Sequence, residues 1–169
     1  TDVSGTIFDP EGLDLEELVQ LFKDEKPLRF YPKEKLNDGG MLLDIETKKE
    51  KSAYQTLTLC YKKVNGKLEE EWLQGNETHR LYSHNLHQVK TDVFIPGGGR
   101  PRTLNINNYK NFLDSDGVPT SKAIVEGANL YLTTEAREAL EELGVLIIKD
   151  SSANKGGVIS SSLEVQASL

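Results

Sequence analysis

The stretch from Ser121 to Asp150, SKAIVEGANLYLTTEAREALEELGVLIIKD, decides the fold. Ala123-Ile124-Val125 reads as a short apolar strand. Thr133 is a good helix N-cap, because its hydroxyl can accept an N–H that the first turn leaves unpaired. Ala136, Ala139, Leu140 and Leu143 then fall at i, i+3, i+4 and i+7, which is one stripe of a helix. Gly144 tolerates the left-handed backbone that closes a helix. Val145-Leu146-Ile147-Ile148 follows with no polar alternation, which predicts a parallel strand buried on both faces.

The same rhythm extends on both sides. Upstream, Asp92-Val93-Phe94-Ile95 reads as a strand, Pro96-Gly97-Gly98-Gly99 as a loop and residues 105–113 as a short helix. Downstream, a polar glycine-containing loop leads to a last helix, which Ser161 and Glu164 are expected to cap as an S-x-x-E box. Strand, helix, strand, helix, strand is the βαβαβ half of a doubly wound sheet. Right-handed crossovers bring the carboxyl ends of its strands to one edge.

The first ninety residues follow another pattern. Asp9-Pro10-Glu11-Gly12 is turn chemistry. A helix is expected next, with Asp14 and Glu17 as a reciprocal capping box, an apolar stripe of Leu15, Leu18, Val19 and Phe22, and Pro27 as its stop. Leu57, Leu59 and Tyr61 alternate with Thr58 and Cys60 as in a strand, and Asn65-Gly66 marks a hairpin whose return strand is Lys67 to Leu73. Residues 27–90 therefore read as an antiparallel insertion, with Glu69-Glu70-Glu71 on a solvated strand surface.

At 169 residues the chain is the size of one domain and can bury a core without disulfides or metal. A net charge of −7 disfavours nucleic acid and anionic membranes, which call for a basic surface. No apolar run approaches a membrane span and the N-terminus carries no signal segment. One cysteine, Cys60, excludes an internal disulfide and suits a reducing compartment, so a cytoplasmic location is expected. The chain begins at Thr1 and its one methionine is Met41, which reads as a processed protein or a piece of a longer one.

Open α/β sheets bind ligands beyond the carboxyl ends of their strands. Three loops meet that condition: Pro96 to Arg100, Glu126 to Asn129, and Asp150 to Gly157. They share glycines, which let a ligand approach backbone N–H groups, and amides, which offer a donor and an acceptor together. A carboxamide or a ribose diol needs that neutral, paired chemistry. One such loop more often serves only its turn; three at one sheet edge are what a site requires. The other candidates are weaker. No G-x-G-x-x-G fingerprint occurs. Arg100 and Arg102 can hold a phosphate or simply flank their loop. His79, His84 and His87 match no closed metal site, so no metal is expected. Cys60 reads as packing, and Ser160, Ser161 and Ser162 lack a nucleophile-elbow context.

These residues resemble the glutamate dehydrogenase family. Ile124-Val125-Glu126-Gly127-Ala128-Asn129, the pair Thr133-Thr134 before a helix carrying Ala136, and Ala153-Asn154-Lys155-Gly156-Gly157-Val158 are similar to the family's coenzyme-domain signatures in order and spacing. Gly5 to Asp14 resembles the segment after that domain's second strand. Asp92 to Pro101, Asn105, and Lys149 to Val165 resemble most the large NAD-specific members. Pro96-Gly97-Gly98 departs from the Pro-Cys-Ala usual in hexameric members.

The resemblance implies a partial Rossmann-like α/β doubly wound sheet with an antiparallel hairpin insertion, residues 1–169 being one fragment of a coenzyme-binding domain. It implies NAD as cofactor and reversible oxidative deamination of L-glutamate to 2-oxoglutarate and ammonia. By motif position, Gly97 and Gly98 would approach the nicotinamide ribose, and Asn129 and Asn154 would bond the nicotinamide end. Asp2 would bond the adenosine ribose hydroxyls. Val158 and Ser161 would meet the substrate's side-chain carboxylate. No catalytic residue falls within the chain: the family's acid–base groups and pyrophosphate turn are expected before Thr1. The isolated chain is therefore expected to be inactive, with the remainder of a homo-oligomeric enzyme as its partner. The rival expectations are a leucine- or phenylalanine-type dehydrogenase, which the polar stretch 155–165 disfavours, and a non-catalytic ligand-binding or assembly module.

Overall fold

A computed structural model describes residues 1–83 and 85–168. It is mixed α/β and divides into two compact units, Thr1–Leu86 and His87–Leu169.

The first unit is built on a four-stranded antiparallel sheet in the order β1-β2-β3-β4. The strands are β1 (Gly5–Phe8), β2 (Met41–Ser52), β3 (Gln55–Val64) and β4 (Lys67–Leu73). Asn65 (φ 51°) and Gly66 (φ 75°) close β3 on β4, the paired positive dihedrals of a two-residue hairpin turn. β1 lies antiparallel to β2, with Gly5 opposite Asp44 and Phe8 opposite Met41. The pairing of β2 with β3 is interrupted after Asp44. There the Asp44 carboxylate accepts from the Glu46 and Thr47 N–H groups and the Thr47 hydroxyl, and so satisfies donors that leave the ladder. Neither β2 nor its partner β1 was expected as part of one sheet with the hairpin. Cys60 is fully buried in β3 among Met41, Leu43, Leu73 and Leu81, and burial pushes its thiol up to about 11, so it packs and stays protonated.

Helix α1 (Leu15–Lys23) starts on Asp14, whose side chain accepts from the Glu16 and Glu17 N–H groups. Glu17 does not reach back to complete the box; its carboxylate pairs with Lys35 at 2.7 Å. The apolar stripe also differs from expectation. Leu21 is buried and Leu18 packs against it, while Leu15, Val19 and Phe22 are exposed. The helix meets Tyr31, Leu36 and Leu42 through a narrower face than its periodicity suggests. Helix α2 (Gly75–Ser83) buries Leu81, and a short turn, α3 (Asn85–Gln88), follows. A cavity of about 570 Å³ opens between β2, β3 and α2, and none of the expected site residues lines it.

Asp2 anchors the start of the chain. Its Oδ1 accepts from the Ser4 N–H, the Ser4 hydroxyl and the Gly5 N–H, and its Oδ2 accepts from the Leu28 N–H. Burial disfavours the charged carboxylate and pushes its pKa up, but these four donors together outweigh it and hold the carboxyl below its usual 3.8. A folded value below the unfolded one means that the stabilisation is present above 3.8 and is lost as pH falls through the folded value. Asp2→Asn is accordingly expected to lower stability near neutral pH and to flatten the acid limb of unit 1. Urea midpoints between pH 6 and 2 check this; an acid limb identical to the parent's would exclude it.

The second unit carries a three-stranded parallel sheet in the order β5-β6-β7: β5 (Thr91–Phe94), β6 (Ser121–Val125) and β7 (Leu146–Ile148). Helix α4 (Thr134–Glu142) crosses from β6 to β7, capped by the Thr133 hydroxyl on the Ala136 N–H and closed by Gly144 at φ 88°. Its core is Leu104, Phe112, Ile124, Leu132, Leu140 and Val145. The parallel pairing is as the sequence suggested, but β7 is not buried on both faces. Ile147 packs inward, while Leu146 and Ile148 are exposed, as is Val93 of β5 on the same face of the sheet. Residues 105–113 form no α-helix; a single 3-10 turn spans Tyr109–Phe112, because Asn105 and Asn108 spend their side chains on local backbone bonds. A helical turn, α5 (Asp150–Ala153), leads to the last helix, α6 (Gly156–Ala167). α6 starts five residues before Ser161, so Ser161 does not cap it. The Ser161 hydroxyl instead donates to the Gly157 carbonyl within the helix.

Candidate functional site

The three loops expected at the carboxyl edge of the parallel sheet do converge there. The Ala128 N–H donates to the Pro96 carbonyl at 2.7 Å, which joins the loop after β6 to the loop after β5. Gly127 makes this approach possible: a Cβ there would stand 3.1 Å from the Pro96 oxygen and 3.6 Å from the Gly97 Cα. On the other side, Asn154 Nδ2 donates to the Gly127 carbonyl at 3.0 Å and to Asn129 Oδ1 at 2.9 Å. Gly97 and Gly98 have open space where a side chain would project.

Asn129 and Asn154 thus meet directly, from loops 25 residues apart. Lys155 Nζ also donates to Asn129 Oδ1, at 2.9 Å. An ammonium group only donates, so the two donors identify Asn129 Oδ1 as the acceptor and leave its Nδ2 as the donor end of the amide. Asn154 has the opposite polarity. Its Nδ2 is used twice, and its Oδ1 is buried with no partner among the described residues. The pair therefore leaves one amide donor, on Asn129, and one buried acceptor, on Asn154, outside these contacts, and a primary carboxamide carries the complementary acceptor and donor.

Beneath these loops lies a group the sequence reading passed over. Glu126 is fully buried. Its Oε1 accepts from the Leu132 N–H at 2.9 Å. Its Oε2 accepts from Arg137 Nη2 at 3.1 Å and lies 3.4 Å from the Asp150 nitrogen. Asp150 returns the tie by accepting from the Leu130 N–H at 3.0 Å, and that bond, more than its other contacts, holds its carboxyl below the usual range. In sequence, Glu126 is one charged letter after a strand, and nothing local marks it as buried. His87 is buried under the same sheet edge. Its Nε2 lies 2.8 Å from the Tyr131 hydroxyl, its ring packs edgewise on Phe94 and Phe112, and burial raises the Tyr131 phenol.

The remaining expected residues lie elsewhere. Val158 and Ser161 sit three residues apart, hence on one face of α6, and both are exposed. Asp2 belongs to the other unit, where its four acceptor bonds are internal. Among the described residues no three His, Cys, Asp or Glu side chains converge as a metal site, and no helix is long and apolar enough to cross a membrane. His84 lies outside the described residues.

Comparison with known proteins gives the family. The family model for glutamate/leucine/phenylalanine/valine dehydrogenases matches residues 1–169. The chain is 41% identical to a probable NAD-specific glutamate dehydrogenase of Schizosaccharomyces pombe and 38% identical to the NAD-specific glutamate dehydrogenase of Saccharomyces cerevisiae. In both cases the match covers 99% of this chain and 14% of the relative. A glutamate dehydrogenase of Thermotoga maritima is 26% identical over 97% of the chain and 27% of its own length. The chain thus spans only a small part of the relatives it matches. A match to the family model over residues 1–169 gives one conclusion: this chain belongs to the glutamate/leucine/phenylalanine/valine dehydrogenase family.

Proposed function

We propose that this chain is part of the coenzyme-binding region of an NAD-dependent glutamate dehydrogenase, with residues 27–90 inserted into that region. The observation that carries the reading is the donor–acceptor pair of Asn129 and Asn154, with a buried Asn154 Oδ1 that lacks a partner. A buried acceptor without a donor calls for one, and the carboxamide of nicotinamide brings both halves of the match. The names of the fungal relatives supply the cofactor and the substrate. Glutamate and 2-oxoglutarate, the rest of a longer enzyme, homo-oligomeric assembly and a cytoplasmic setting all belong to this reading.

When bound, NAD takes up the hydride at C4 of its nicotinamide. The residues of this chain orient that ring rather than move protons. Asn129 Nδ2 would donate to the carboxamide oxygen, and Asn154 Oδ1 would accept from the carboxamide nitrogen. Gly97 and Gly98, lacking side chains, leave room for the nicotinamide ribose. Val158 and Ser161 would meet the substrate's distal carboxylate, the Ser161 hydroxyl turning from the Gly157 carbonyl to donate to it. Holding donor and acceptor carbons in register is worth about 7–11 kcal/mol of barrier in favourable cases. Asp2 contributes least to this reading, because its acceptor positions are already filled.

Steady-state kinetics of the longer enzyme test it. Asn154→Ala is expected to raise KM for NAD about tenfold, as one buried hydrogen bond of ~1 kcal/mol and its neighbours are lost. Ser161→Ala is expected to raise KM for glutamate about fivefold, with KM for NAD unchanged within twofold. An Asn154→Ala enzyme with unaltered NAD kinetics would remove the nicotinamide site from these loops.

A further inference from the structure

We propose that the buried Glu126–Arg137 pair is a positioning device that sets affinity for the nicotinamide end of the dinucleotide. The inference rests on the reading of Asn129 and Asn154 just given.

The argument starts from what the pair is attached to. Glu126 stands three residues before Asn129. Its Oε2 faces the Asp150 N–H, and Asp150 opens the single helical turn α5, in which the Asn154 N–H donates to the Asp150 carbonyl at 3.1 Å. One carboxylate therefore fixes the root of both amide-bearing loops. A second tie, from the Leu130 N–H to Asp150 Oδ2, closes the ring between them. Arg137, on α4, neutralises the carboxylate and refers both loops to the helix that packs on the core.

A buried ion pair is not needed for stability alone, since apolar residues of similar volume commonly serve as well. What apolar residues cannot do is hold N–H groups from two loops at one point. The two amides must present their donor and acceptor side by side, and a shift of one loop against the other misaligns them. Glu126 and Arg137 touch neither cofactor nor substrate, so they are positioning residues.

The test compares two ligands that differ only at the nicotinamide: NAD and ADP-ribose. In the longer enzyme, Glu126→Gln with Arg137→Met makes the pair neutral and keeps an acceptor for the Leu132 N–H, but turns an amide donor towards Asp150. We expect the Kd for NAD to rise about fivefold or more, the scale of one hydrogen bond, with the Kd for ADP-ribose unchanged within twofold and the circular-dichroism melting curve still cooperative. Arg137→Lys, which retains a cation, should restore most of the NAD affinity. Asp150→Ala cuts the second tie without touching the buried pair; it should shift the NAD to ADP-ribose ratio in the same direction and settles the matter if the double variant does not fold. Equal losses for both ligands, or no loss in either variant, would overturn the positioning role alone. A wild-type enzyme that binds NAD no better than ADP-ribose would overturn the nicotinamide reading and this inference with it.

Discussion

Arg137→Met is expected to destabilise the second unit by about 3 kcal/mol, towards the low end of the 3–5 kcal/mol seen when one partner of a buried ion pair is removed. The Glu126 side chain is 0% exposed and that of Arg137 9%, so neither charge is screened by water. Without the guanidinium, Glu126 keeps a negative charge in the core with only the Leu132 and Asp150 N–H groups to face it. Those two donors set the low end of the range. Arg137 Nε, buried with no partner among the described residues, shows that the pair itself is not fully satisfied, so its loss is costly for the charge left behind rather than for the bonds broken. The neutral double variant Glu126→Gln with Arg137→Met should recover most of the loss. The readout matters: Trp72 lies in β4 of the other unit, so the second unit calls for a probe of its own. Hydrogen exchange at the Leu132, Leu140 and Val145 amides does. A loss below ~1 kcal/mol would mean that the carboxylate finds other donors or becomes protonated.

Gly5→Ala is the second large effect, again about 3 kcal/mol, the upper part of the range for overpacking. A Cβ on Gly5 would overlap the Leu43 carbonyl oxygen and stand 3.0 Å from its carbon. Both are backbone atoms, so no rotamer change relieves the contact. β1 must leave β2, and the Gly5–Asp44 register with it. The Asp2 anchor would fail in the same event, since Asp2 Oδ1 accepts from the Gly5 N–H. Gly66→Ala is the control. It has open space but a φ of 75°, and should cost only ~1 kcal/mol. Urea denaturation followed by Trp72 fluorescence suits both, because β4 belongs to the sheet concerned. Equal midpoints for the two variants would show that β1 moves away freely.

Helix α4 was legible at both ends, through the Thr133 cap and the Gly144 stop, and its stripe held at Ala136 and Leu140, whereas Leu143 caps the helix and is exposed. So was the β3–β4 hairpin, because Asn65-Gly66 fixes the register within two residues. The expected helix over residues 105–113 failed because asparagine side chains compete locally with helical bonds. The start of α6 was misplaced because an S-x-x-E box has the same spacing inside a helix as at its end. The stripe on α1 and the run at β7 were apolar as read, yet three of the four stripe residues and two of the four in the run are exposed, since periodicity says which residues share a face and not whether a neighbour covers it. The candidate site divides in the same way. Gly97, Gly98, Asn129 and Asn154 were chosen one loop at a time; Glu126, which holds those loops, gave no signal of its own.

The sequence by itself determined the elements closed by short-range bonds, the parallel order of β6, α4 and β7, and the family, because caps, turns and motif spacings are written within a few residues. Only the tertiary structure decided that β1 pairs with β2, that the amides of Asn129 and Asn154 face each other with opposite polarity, and that a carboxylate is buried beneath them. Each of these depends on groups 20 or more residues apart meeting at hydrogen-bond distance or on a charge losing its water, and both are properties of packing that no local pattern encodes.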